Sequence, residues 1–166
     1  MGPLVTTEWL AAERGKPDLV VFDATMYLPN ETKNGKVEFL AAHIPGARYF
    51  DIDVVADQDS SLPHMVPTPG RFGKLMGAMG VSNATRVVFY DQKGLASAAR
   101  GWWLMGLFGH DKAAVLDGGV PKWVREKRAV EAGEPAAPAA AGFNPDYRPT
   151  RLRGVGDVMA NGKPPA

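Results

Sequence analysis

The chain has 166 residues, no cysteine, and 19 basic against 18 acidic side chains for a formal charge of +1. That length suits one domain with a tail, and the lack of thiols excludes disulfide scaffolds, cysteine-ligated zinc, iron–sulfur clusters and any mechanism that uses a thiolate of this chain. Balanced charge gives no electrostatic ground for nucleic acid or an anionic bilayer as a partner, and no apolar run approaches the ~18 residues of a membrane span.

In chain order, Thr7 reads as the cap of a helix over 8–13, with Trp9 and Leu10 facing inward. The run 19–22 (Leu-Val-Val-Phe) is a short buried strand. A helix closing with His43 hands over to a second strand at 47–50. Thr68 followed by Pro69 gives a cap and a first turn. Phe72, Leu75, Met76 and Met79 then recur at helical spacing up to Gly80. Residues 86–90 form a third strand, 97–108 a helix that stops at Gly109, 113–116 a fourth strand, and 120–126 a short helix after the turn Asp117, Gly118, Gly119. Continuous apolar strands fit a parallel sheet covered on both faces, so the class is α/β with right-handed crossovers. Gly101 and Gly106 each cost about 1 kcal/mol of helix propensity against alanine, and are expected to loosen the helix that holds them.

Composition shifts near residue 130. Residues 131–150 hold four prolines and many alanines without an apolar period, as in a linker or a surface strap. The predicted organisation is a domain over 1–130, a Pro/Ala-rich linker over 131–150 and a tail over 151–166 with a weak helical turn at Val155, Val158 and Met159. A linker that leads nowhere predicts a piece of a longer polypeptide. The opening residues lack a basic segment followed by an apolar one, and a cytoplasmic location is the expectation.

The most specific local pattern is Phe39, three spacers, then His43, Ile44, Pro45, Gly46, Ala47 and an apolar strand. Around it, in order, stand Phe22-Asp23-Ala24, Tyr27-Leu28-Pro29, Phe50-Asp51-Ile52-Asp53, Leu62-Pro63-His64-Met65, Val88-Phe89-Tyr90-Asp91, Trp102-Trp103, Phe108-Gly109-His110 and Leu116-Asp117-Gly118-Gly119. This ordered set, over about residues 5–128, resembles the first half of the tandem rhodanese-like sulfurtransferases that use 3-mercaptopyruvate or thiosulfate. The resemblance implies a rhodanese-like α/β domain: a mainly parallel sheet flanked by helices on both faces. It also implies a second rhodanese-like domain of the same polypeptide as partner, a small-molecule sulfur donor, no cofactor and no metal. In that family a cysteine of the second domain carries sulfur as a persulfide. Here Asp91 occupies the corresponding loop position, and a carboxylate cannot hold a persulfide.

By the same resemblance Asp53 and His64 are the candidate catalytic residues. Their supporting role is proton handling beside the other domain's cysteine, set against a plain reading as loop residues that cap backbone groups. Asp91 and Ser97 read as polar groups at a helix start. Arg100 is expected to meet a carboxylate or a substrate anion. Trp102 and Trp103 are expected in the core, and His43 in a satisfied structural turn. His110 stands at a helix end, where a cation is mildly favoured. The leading expectation is a non-catalytic half, inactive alone and prone to dimerise when isolated. The alternative is a stand-alone inactive rhodanese module that binds proteins. A rhodanese-fold phosphatase, which needs a cysteine, is excluded.

Overall fold

The computed structural model describes residues 1–161 and shows one parallel sheet of five strands in the order β1-β5-β4-β2-β3. Its three central strands are β2 (Leu19–Asp23), β4 (Arg86–Tyr90) and β5 (Ala113–Leu116). The edges are two residues each, β1 (Leu4–Val5) and β3 (Arg48–Tyr49). The second strand read from sequence is therefore shorter than 47–50, and β1 is an addition.

Strand side chains alternate between two cores, as period-2 geometry requires. Val20, Phe22, Val87, Phe89, Ala113 and Val115 belong to one cluster, and Leu19, Val21, Val88, Tyr90, Ala114 and Leu116 to the other. The first cluster is covered by α3 (Ile52–Val55), α4 (Pro69–Ala78) and α5 (Ala98–Leu107). The second is covered by α1 (Thr7–Glu13), α2 (Gly35–Ala41) and α6 (Gly119–Arg125). Helices on both faces of a parallel sheet are the α/β class expected from the apolar runs.

Local details correct several expectations. Thr6, not Thr7, caps α1, accepting from the Trp9 N–H at 3.2 Å. Thr7 is buried, and its hydroxyl donates to Glu126 at 2.6 Å. Thr68 and Pro69 do open α4, with the Thr68 hydroxyl accepting from Arg71 N. The glycines of α5 do not loosen its packing. A Cβ at Gly101 would stand 2.3 Å from the Phe89 ring, so the missing side chain is what lets α5 lie close on β4. Trp102 is 37% exposed rather than in the core, and Trp103 is only partly buried against it.

Residues 131–150 form a strap with a core anchor. Glu131 pairs with His43 in an isolated antiparallel bridge. Further along, the Ala141 N–H donates to Gly77 O, Asp146 N to Phe108 O and Arg148 N to Leu107 O. Between these ties Phe143 is buried edge-on to Phe72, with ring centroids 5.8 Å apart. A short 3-10 turn (Pro149–Arg151) leads to α7 (Val155–Asn161), whose residues are all exposed. The last part of the 151–166 tail, residues 162–166, lies outside the described residues.

Candidate functional site

Three loops leave the carboxyl ends of β2, β3 and β4, the side of an open α/β sheet where ligands bind. The loop after β3 begins with Asp51, whose carboxylate caps α3 by accepting from Asp53 N at 3.0 Å and Val54 N at 3.1 Å. The cap frees the next carboxylate, Asp53, to project from the first turn. His64 returns at the far end of the same loop, and its Nε2 lies 2.8 Å from Asp53 Oδ1. A carboxylate only accepts, so a proton shared across this contact is supplied by Nε2. The pair is open to solvent, with side-chain exposures of 72% for Asp53 and 38% for His64. Such an exposed pair adds at most about 1 kcal/mol to stability, so its effect is to orient an imidazole. The helix-capping role considered for Asp53 belongs to Asp51.

The loop is tied down from two helices. Arg71 of α4 donates Nη2–H to Val54 O at 2.6 Å and Nε–H to Ala56 O at 3.2 Å. Gln58 donates to Asp53 O at 2.7 Å. The Asp57 N–H donates to Met65 O, joining the two ends of the loop. Arg100 of α5 donates Nη2–H to His64 O at 2.5 Å and lies over Trp103, with its guanidinium carbon 4.9 Å from the ring centroid. It thus meets a backbone carbonyl, and no carboxylate among the described residues, where a carboxylate was one of the partners expected. His64 has φ +57°, in the left-handed region that few non-glycine residues occupy.

The loop after β4 surrounds Asp91. This carboxylate is fully buried. Its Oδ1 accepts from Lys93 N at 2.9 Å and Leu95 N at 3.1 Å, and its Oδ2 from Ser97 N and Ala98 N, both at 2.9 Å. Gly94 and Leu95 both adopt positive φ to aim these donors inward. Four converging N–H groups at the start of α5 make an anion cradle, and Asp91 fills it. Ser97, at the cap position, makes no cap of its own; its hydroxyl instead accepts from Met26 N at 3.1 Å. Beneath the mouth, the Asp23 carboxylate accepts from Thr25 N and Oγ and from Gln92 Nε2. Burial pushes this carboxyl up, and these hydrogen bonds oppose the rise.

The remaining histidines are structural. His43 is buried, stacked on Phe39 with ring centroids 4.1 Å apart, and its Nδ1 lies 2.8 Å from Phe39 O. His110 is also buried, with Nε2 2.8 Å from Thr85 O, and burial pushes its pKa down. The favoured cation expected there is overridden by desolvation. The structure thus joins Asp53 and His64, places Arg100 on the His64 carbonyl, and adds Asp51 and Arg71, which sequence reasoning did not assign to the site. Asp51 had a local signal, an aspartate just before a short apolar turn. Arg71 had none, because its acceptors are main-chain oxygens.

Comparison with known proteins accords with this geometry. Residues 6–126 match the rhodanese-like domain family. The chain is 48% identical over 121 residues to the mitochondrial thiosulfate/3-mercaptopyruvate sulfurtransferase 1 of Arabidopsis thaliana, covering 73% of this chain and 32% of that protein. It is 38% identical over 164 residues to human 3-mercaptopyruvate sulfurtransferase, covering 95% of this chain and 55% of that protein. The chain therefore spans from a third to just over half of these curated relatives. The crystal structure of SseA from Escherichia coli, a 3-mercaptopyruvate enzyme, superposes with a TM-score of 0.87 at 36% identity, covering 96% of this chain and 61% of SseA. A yeast mitochondrial sulfur transferase subunit of complex I superposes at 0.86 with 30% identity, covering 96% of this chain and 57% of that one. With its strand order, two-faced helical cover and extended sequence match, the chain belongs to the family of rhodanese-like domains.

Proposed function

We propose that this chain acts as the cysteine-free half of a sulfurtransferase that takes sulfane sulfur from 3-mercaptopyruvate, or from thiosulfate, on a cysteine of a second rhodanese-like domain in the same polypeptide. In the mercaptopyruvate reaction that thiolate attacks the donor's sulfur, the carbon–sulfur bond breaks, and the electron pair leaves as the pyruvate enolate. The thiol proton must reach the enolate carbon for pyruvate to form. His64, an imidazole held with Nε2 2.8 Å from the Asp53 carboxylate and partly open to solvent, suits that transfer. Asp91 keeps this half out of the sulfur-carrying step, because its carboxylate already occupies the anion cradle. The observation that carries the reading is the 2.8 Å contact between Asp53 and His64 on the rim formed by the loops.

The test has two arms. The 166-residue chain alone, given 3-mercaptopyruvate or thiosulfate with cyanide, is expected to form thiocyanate at background rate. In the polypeptide that carries the cysteine domain, His64→Ala is expected to lower kcat with 3-mercaptopyruvate by about 100-fold, the low end of general acid–base contributions. Thiocyanate above background from the isolated chain overturns the supporting-half reading. A native gene product near 17.8 kDa, with no second domain, would favour the stand-alone module instead.

A further inference from the structure

Asp53 and His64 are held by different means. Asp53 sits on a ledge fixed by the Asp51 cap, by Arg71 on Val54 O and Ala56 O, and by Gln58 on the Asp53 carbonyl itself. His64 has no such ledge. Its backbone is in the left-handed region, which a β-carbon disfavours. The described contact on its own main chain is the charged hydrogen bond from Arg100 Nη2 to its carbonyl. That carbonyl's direction sets the plane of the following peptide, and so the direction in which the His64 side chain leaves the loop.

Arg100 itself is placed at a cost. Its Nε is buried and has no hydrogen-bond partner among the described residues, although buried donors are rarely left unpaired. The guanidinium is pinned between the Trp103 face and the His64 carbonyl. A side chain selected for stability alone would satisfy its donors. An unsatisfied guanidinium that reaches from the first turns of α5 to the one strained backbone of the pair indicates a geometric task.

We propose that Arg100 is a positioning residue for His64. Its hydrogen bond to the His64 carbonyl holds the left-handed backbone that brings Nε2 within 2.8 Å of Asp53. The inference rests on the reading of Asp53 and His64 as the proton-handling pair, but its first test does not depend on turnover.

Two-bond proton–nitrogen NMR correlations report the tautomer of each imidazole, and the chain has only three histidines. Near pH 8.5 the unmodified chain is expected to show His64 as a single Nε2–H tautomer. Arg100→Met keeps the stem on Trp103 but removes the donors, and is expected to give averaged nitrogen shifts at His64 with His43 and His110 unchanged. Arg100→Lys, which restores one charged donor, is expected to recover the single tautomer. If Arg100→Met does not fold, Arg100→Gln is used, since it is too short to reach the carbonyl. A single unchanged His64 tautomer in the folded Met or Gln variant overturns the proposal, whatever happens to the rate. In the polypeptide carrying the cysteine domain, Arg100→Met is expected to lower kcat with 3-mercaptopyruvate by about tenfold with little change in KM, in line with the sensitivity of turnover to small misplacements, and Arg100→Lys to restore most of it. An averaged tautomer with unchanged kcat leaves Arg100 as a positioning residue and overturns the catalytic reading of the pair.

Discussion

His110 shows how burial can outweigh a favourable helix end. Its ring is enclosed and bonded to Thr85 O, and its pKa lies below the ordinary value because desolvation disfavours the charged form. The unfolded chain binds a proton there near pH 6.5, and the folded chain resists it. Folding free energy is therefore fully present above about pH 7 and falls as pH drops through 6.5 toward the lower folded value. Urea midpoints of the chain should decline between pH 7.5 and 5.5. His110→Gln, whose amide can still donate to Thr85 O, should decline less steeply; parallel pH profiles for the two proteins would contradict this account. The same competition explains what could be read of the site from sequence. Asp53 and His64 are eleven residues apart across a loop without periodicity, so only the ordered family motifs pointed to them. The Asp91 cradle was half legible: a carboxylate at a helix start is a sequence signal, but its convergence with four N–H groups depends on the positive φ of Gly94 and Leu95. Arg100 was legible only as a charge beside two tryptophans, since its acceptor is a main-chain oxygen that carries no side-chain signature.

Elements were legible where apolar runs are long enough to impose a period. β2, β4 and β5 are continuous runs buried on both faces, and α4 carries a cap, a proline at its first turn and spaced apolar residues. β1 and α3 escape because two and four residues are too few to display a repeat. The strap was one of two readings of the Pro/Ala-rich composition, but its anchor escapes, because Phe143 is a lone aromatic with no period. The glycines of α5 were misread because propensity describes an isolated helix, whereas Gly101 answers to Phe89. Gly101→Ala gains about 1 kcal/mol of propensity, yet drives a methyl to 2.3 Å from a fully buried ring. Overpacking of that kind costs about 1–3 kcal/mol, and because Phe89 is locked between Phe22 and Phe50 the clash is expected to win. Urea denaturation should show Gly101→Ala destabilised by about 1–2 kcal/mol. Gly106→Ala meets only the tip of the half-exposed Arg151 side chain at 2.6 Å, which can move aside, so it should be neutral or slightly stabilised. Equal effects at the two positions would remove the packing explanation.

At the scale of the whole molecule, exposed apolar side chains gather on the loops at one end of the sheet: Leu28 after β2, Leu62 and Met65 after β3, and Leu95 after β4. Exposed apolar groups gathered on one face commonly mark an interaction surface, and this end is where the proposed second domain would close the cleft. In isolation the chain should bind a hydrophobic dye and associate in a concentration-dependent manner by light scattering. Leu62→Ser together with Leu95→Ser should weaken both effects without lowering the urea midpoint. A dye-free monomer at high concentration would mean that this end is already covered.

The two-residue outer strands limit the form such association can take. β1 and β3 each offer so little free ladder that another chain has almost nothing to pair with. Any association between copies is therefore expected through side-chain contacts at the loop end rather than through strand pairing. Concentrated samples should grow turbid or dimerise long before they nucleate thioflavin-positive fibres.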